Sequence, residues 1–333
     1  MSRPRLLTTA AVLVAASLAL AGCASESTGA PDDASATAAS DQGTWPRTIT
    51  HEKGSTEITA KPENIVSTSI TLTGSLLAID APVTATATTT PSDITDDDGY
   101  FSQWASVAKE RDVAELYPNL EFDEEAVLAA APDLIVVSAS GADSTVDEYD
   151  ALSEIAPTIV LDYGDESWQD LATALGTATG HESDAKKVIA NFDEHVADVA
   201  KEITVPEGDA NAIVWNGTEN TTAFAKPGGP HAELLDALGF TVQGADNDLD
   251  TSEQSRNDFA FLSIEDVTSA LTGSTVFVIS GGDSTTEDLE STSVLRTAPA
   301  LESGNVVALG PDSFRIDYYS AEEIVDIVEK EFA

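Results

Sequence analysis

The sequence predicts an α/β protein of two Rossmann-like lobes bridged by a single long helix. Three observations carry this. Runs of β-branched residues alternate with helical patterns through both halves of the chain, an order that favours parallel sheets with crossover helices. Between the halves, "SDAKKVIANFDEHVADVAKEI" (183–203) sets Val188, Ile189, Phe192, Val196, Val199 and Ile203 on one helical stripe about 30 Å long, with Ser183 or Asp184 as the expected N-cap. The halves also echo each other: Glu125 and Val127 precede "DLIVV", and Glu265 and Val267 precede "STVFVI".

In order along the chain, Arg3 and Arg5 lead into "LLTTAAVLVAASLALAG", which reads as a secretory signal over 1–22 and not as a membrane span. Leu20, Ala21 and Gly22 before Cys23 resemble a bacterial lipobox, so Cys23 is the expected lipidation site. It is the chain's one cysteine. Residues 23–44 are then a polar, flexible tether. An N-terminal lobe is expected over 45–165. It starts with "RTITHEKGSTEIT" as a hairpin around Lys53 and Gly54, followed by "NIVSTS" as a strand, "TLTGSLLAI" as a helix and "PVTATATT" as a strand. Helix-then-strand units follow in "DEEAVLAAAPDLIVVSAS" and "YDALSEIAPTIVLDY". Residues 166–204 form a helical linker that includes the long helix. A C-terminal lobe over 205–333 contains "NAIVWN", "HAELLDALGF", "IEDVTSALTGSTVFVIS", "NVVALG" and a last helix in "SAEEIVDIVEKEF".

The chain has 59 acidic and 15 basic residues, a formal charge of −44, which excludes a nucleic-acid partner. Most of that charge serves solubility or a salty milieu. The four histidines, His51, His181, His195 and His231, are scattered, without H-E-x-x-H, and no metal site is expected from them. "DITDDDG" lacks the spacing of a calcium loop, and neither a G-x-S-x-G elbow nor a P-loop is present, so nothing supports catalysis. The arginines are the informative minority. Arg111 follows "YFSQWASVAKE", which contains Trp104; Arg256 follows "GADNDLDTSEQS"; Arg315 sits in "FRIDYY" beside Tyr318 and Tyr319. All three fall in connecting segments, where α/β clefts recruit ligands. The bland alternative for each is a surface ion pair worth at most ~1 kcal/mol.

The segments "ITHEKGSTEITAKPENIV", "QWASVAKER", "PDLIVVSASGADS" and "FRIDYYSA" resemble the ferric-siderophore-binding lipoproteins of ABC importers, most closely the ferric-enterobactin group. The resemblance covers about Thr48 to Phe332 and is loosest over Val205 to Thr275. It implies the class III, helical-backbone architecture, a ligand held between the lobes and no catalysis. It also implies a lipid-anchored monomer at the outer face of the cytoplasmic membrane that delivers a ferric siderophore of catecholate type to an ABC permease. No cofactor is expected beyond the iron carried inside the siderophore. Carried over, Arg111, Arg315 and Arg256 become ligand-binding residues, with Trp104, Trp215, Phe224, Tyr318 and Tyr319 as aromatic partners. Glu125 and Glu265 become permease-docking acids, one per lobe, and Arg296 a peripheral helix residue. The alternatives are a hydroxamate siderophore, haem or cobalamin as ligand, and, from another class, a secreted hydrolase.

Overall fold

The computed structural model describes residues 43–164, 166–252 and 256–333. The expected leader, Cys23 and the tether up to residue 42 lie outside the described residues. The first described element is an antiparallel hairpin of β1 (Arg47–His51) and β2 (Gly54–Ile58). His51 pairs with Gly54, so the turn is Glu52-Lys53, one residue earlier than the sequence suggested.

The first large sheet contains β3 (Ile65–Ser67), β4 (Val83–Thr86), β5 (Ala114–Glu115), β6 (Leu134–Ser138) and β7 (Thr158–Leu161). Its order is β5-β4-β3-β6-β7 and every pairing is parallel. The second contains β8 (Ala210–Val214), β9 (Thr222–Ala225), β10 (Phe259–Leu262), β11 (Thr275–Ile279) and β12 (Val306–Ala308), in the order β10-β9-β8-β11-β12. The two orders correspond strand for strand, and the echoed segments become β6 and β11, each beside the central strand of its sheet. The second sheet is mixed, because β9 runs antiparallel to both β8 and β10. A parallel return from β8 needs a crossover of roughly a dozen residues or more, and the short 215–221 connection forces a hairpin instead.

Period-2 alternation divides the apolar residues between two faces. Val66, Ile135, Val137 and Val160 point into a core on the outer side of the first sheet. Ile65, Leu134, Val136 and Ile159 join the largest core, which also takes Ala212, Phe277 and Ile279 of the second sheet. Ile213, Val276 and Val278 fill the outer core of the second sheet. Burial on both faces is why these strands read as unbroken apolar runs.

The largest core continues through three helices, Trp168–Thr179, Glu182–Glu202 and Tyr318–Phe332. The long helix buries Ala185, Val188, Phe192, Val196 and Val199, spaced three or four apart. Phe192 meets Trp168 edge to face with ring centroids 5.1 Å apart, and truncating it to alanine should cost about 3–5 kcal/mol. The helix is capped two residues before Ser183, the earlier of the two expected N-caps. Gly180, left-handed at φ 73°, ends the preceding helix, and His181 is the N-cap without a side-chain cap bond. That tight corner leaves no spare residue for a Ser183 or Asp184 cap.

Candidate functional site

Between the two sheets lies a cavity of about 500 Å³. The first lobe contributes loops that follow β3, β6 and β7, at the carboxyl ends of parallel strands where open α/β sheets bind ligands. The second contributes the start of the Pro230–Ala237 helix, the segment entering β10, and the stretch Phe314–Asp317 before the last helix.

On the first lobe the central group is Tyr163. Its hydroxyl donates to Asp143 Oδ1 at 2.7 Å. Asp143 is 4% exposed and also accepts from Ser69 Oγ at 2.6 Å and the Thr71 amide at 3.0 Å. Ser69 in turn caps the Ile70–Ala78 helix, so one buried carboxylate ties a helix start to the cleft tyrosine. Gly141 has φ +85°, and a Cβ there would overlap the Tyr163 hydroxyl, so glycine is required. Burial, then the Asp143 charge, pushes the Tyr163 phenol well above its ordinary value, so it stays a donor.

Arg315 reaches across from the second lobe with its guanidinium carbon 4.9 Å from the Tyr163 ring centroid. It is exposed, and among the described residues it has no carboxylate within ion-pair distance. Arg256 also lines the cavity, but its Nε and Nη2 donate to Asp258 at 2.8 and 2.6 Å. Burial raises the Asp258 carboxyl, and Arg256 outweighs that and holds it below the usual range. Lys226 donates to the Arg256 carbonyl at 2.9 Å, which fixes that segment.

The aromatic wall is made of residues that sequence reasoning passed over. Phe314, 37% exposed, stacks on Phe259 at 5.7 Å with planes 9° apart. Behind Phe259, the buried His231 donates from Nε2 to the Ser313 carbonyl at 2.7 Å and so anchors the Phe314–Asp317 stretch. Burial lowers this imidazole to about 4, which keeps it neutral. Phe101 completes the lining on the first lobe. Below it, Gln103 Nε2 donates to Asp317 Oδ2 at 3.2 Å, a second contact between lobes.

The other expected ligand residues lie elsewhere. Arg111 sits at the C-terminal end of the Ser102–Glu110 helix and pairs with Asp80 at 3.1 Å. Gln103, in the first turn, faces the cavity, and eight further residues carry Arg111 about 12 Å along the axis. Trp104, 0% exposed, is buried in the core, as are Trp215, whose Nε1 donates to Asp288 at 2.6 Å, and Phe224 on β9. Tyr318 packs on Trp168 at 5.6 Å and Tyr319 on Tyr318 at 5.1 Å, on the helix side of the cleft floor. Arg296 is exposed in a turn and not in a helix. Glu125 and Glu265 are both exposed, each the second residue of a seven-residue helix, Glu124–Ala130 and Ile264–Ala270. These helices lead into the corresponding strands β6 and β11.

Two α/β lobes joined through one continuous helix, with a polar and aromatic cavity between them, define a two-lobed solute-binding protein. The family described as periplasmic binding protein matches residues 65–313, and the chain belongs to it. Among its relatives is the ferric enterobactin-binding periplasmic protein FepB of Escherichia coli O6:H1, 41% identical over 285 residues, covering 85% of this chain and 89% of that one. The petrobactin-binding protein YclQ of Bacillus subtilis is 24% identical over 237 residues, covering 68% and 71%. Among solved structures, holo-ViuP superposes with a TM-score of 0.80 at 38% identity, covering 87% of this chain and 96% of that one.

Proposed function

We propose that this protein is the extracytoplasmic receptor of an ABC iron importer and that it captures a ferric siderophore of catecholate type in the interlobe cavity. The observation that carries the reading is Arg315, a guanidinium with no ion-pair partner among the described residues, set among Tyr163, Phe314 and Phe259. A ferric tris-catecholate is a trianion with flat apolar rings, and this combination matches it. The guanidinium forms charge-assisted hydrogen bonds with phenolate oxygens, and aromatic faces cover the rings. Arg256 is the second cation, shared with Asp258. The kinship with FepB favours the same ligand class over a hydroxamate siderophore.

The charge of −44 does not oppose this. At physiological salt, charges beyond about 8 Å are largely screened. A guanidinium about 4 Å from a phenolate in a cleft of effective ε about 20 contributes a Coulomb attraction of about 4 kcal/mol before desolvation. In this reading the iron stays with the siderophore's own oxygens as cargo, the protein performs no catalysis, Cys23 carries a lipid that holds a monomer at the membrane, and Glu125 and Glu265 engage the permease.

Native mass spectrometry of the protein taken from iron-starved cells tests the assignment. A mass increment equal to one ferric catecholate siderophore per chain is expected; a hydroxamate or haem increment would replace it.

A further inference from the structure

Away from the cleft, the long helix and the last helix together present a histidine and three carboxylates. Glu322, Asp326 and Glu329 are spaced four and three residues apart on the Tyr318–Phe332 helix, which puts them on one face. Across from them on the Glu182–Glu202 helix is His195. His195 Nδ1 lies 2.6 Å from Glu322 Oε2, and its Nε2 lies 3.8 Å from Asp326 Oδ1. Ligand atoms of His195, Asp326 and Glu329 all fall within 4.8 Å of one another.

We propose that His195, Asp326 and Glu329 form a site for a first-row divalent transition ion of the zinc type, with Glu322 as the group that orients the imidazole. With Nδ1–H donating to Glu322, the lone pair is left on Nε2, the nitrogen that faces Asp326. A carboxylate behind a metal-binding imidazole fixes the tautomer and raises ligand basicity. One imidazole with two carboxylates is a mixed nitrogen and oxygen set, which suits zinc and its neighbours better than the all-oxygen preference of calcium or magnesium. With bonds of about 2.0–2.2 Å in tetrahedral geometry, an ion draws its ligand atoms to about 3.3–3.6 Å from one another, and rotation of the exposed Asp326 side chain closes the remaining gap.

Charge supplies the reason for an ion here. Three carboxylates share one helix face, and among the described residues none of them pairs with a lysine or arginine. The nearby Lys330 and Lys201 engage Glu331 and Asp198 instead. The two helices are already joined at one end, where the Thr204 amide donates to the Phe332 carbonyl at 2.7 Å. An ion at His195 would staple them a second time, a turn or more from that bond. None of the four residues lines the ligand cavity, so the site is independent of the siderophore reading. Sequence spacing did not reveal it because its ligands come from helices more than a hundred residues apart.

The test is zinc titration of the purified full-length protein after chelation, by calorimetry and thermal melting. One zinc per chain should bind saturably and raise the melting temperature by several degrees, while calcium at the same concentration gives no saturable binding. His195→Gln and Asp326→Asn should each weaken zinc at least tenfold, and Glu322→Gln by roughly 10- to 100-fold. His181→Gln, at the other end of the same helix beside Asp184, should change nothing. Asp326 is exposed, so its variant keeps the test readable if His195→Gln perturbs folding. No saturable zinc binding, zinc binding within threefold of wild type in both His195→Gln and Asp326→Asn, or calcium binding equal to zinc would overturn the site.

Discussion

Arg315→Ala removes the cleft guanidinium that has no ion-pair partner among the described residues. The guanidinium rests over Tyr163 at 4.9 Å, a contact worth about 0.5–1 kcal/mol at an exposed position. The bound anion offers about 4 kcal/mol at roughly 4 Å and ε about 20. Subtracting the lost ring contact and a similar desolvation cost leaves about 2–3 kcal/mol, or a roughly 30- to 150-fold rise in Kd. Arg315→Lys keeps the charge but loses the planar fork and the stacking, so it should fall between, near tenfold. Arg111→Ala is the control, because that side chain pairs with Asp80 outside the cavity; it should stay within threefold. The assay is calorimetric titration with a ferric tris-catecholate, with circular dichroism to confirm folding. An Arg315→Ala variant that binds within threefold of wild type, or an Arg111→Ala variant that loses as much, would mean that Arg315 is not the cation that holds the ligand.

Other expectations follow from the same geometry. Arg256→Ala leaves the Asp258 carboxylate uncompensated in the cleft, so it should weaken the anion more than the double variant Arg256→Ala/Asp258→Ala does; the reverse order in calorimetry would mean Asp258 does not face the ligand. Reversing Glu125 and Glu265 to lysine should leave siderophore affinity intact and impair uptake in cells, and normal transport by the double variant would remove them from docking. Cys23→Ser should leave a folded protein released from washed membranes; retention there would rule out the lipid as the anchor. Burial, then the Asp317 charge, raises the Asp312 carboxyl to about 6, and its Oδ1 is buried without a partner among the described residues. A folded-state value above the unfolded one means that the protonated group favours the fold below pH ~4, and that this contribution is lost as pH rises through about 6. Asp312→Asn should therefore raise the melting temperature at pH 7.5 and bring little gain at pH 4.5; equal gains would contradict the assignment.

Much of the fold was legible because period and length are local properties. The stripe from Val188 to Val199 fixed the long helix, and strands buried on both faces announced themselves as "DLIVV" and "TVFVI". The direction of β9 was not legible, since "TTAFA" reads the same in a parallel or an antiparallel pair and only the short 215–221 connection decides it. For the site, scarcity pointed to the arginines, but sequence does not say which end of a helix faces a cleft. That is how Arg111 and Gln103, on one helix, end up on different sides of the matter. Trp104 lies beside Ala105 and Ala108 on the buried face of that helix, a pattern that marked it as core. Phe314 and Phe259 stand next to or near the cleft arginines, and the strongest signal for them was that adjacency. The tyrosines after Arg315 were the weaker choice, because Asp317 and Ser320 form a capping box there and start a helix that turns both rings away from the cavity.

Whether this cavity holds a ferric catecholate is decided by competition calorimetry on the purified protein. A ferric tris-catecholate should bind one to one and should not be displaced by an equal concentration of a ferric hydroxamate siderophore. Equal competition by the hydroxamate, or no heat with the catecholate, would mean that the cavity serves a different ligand.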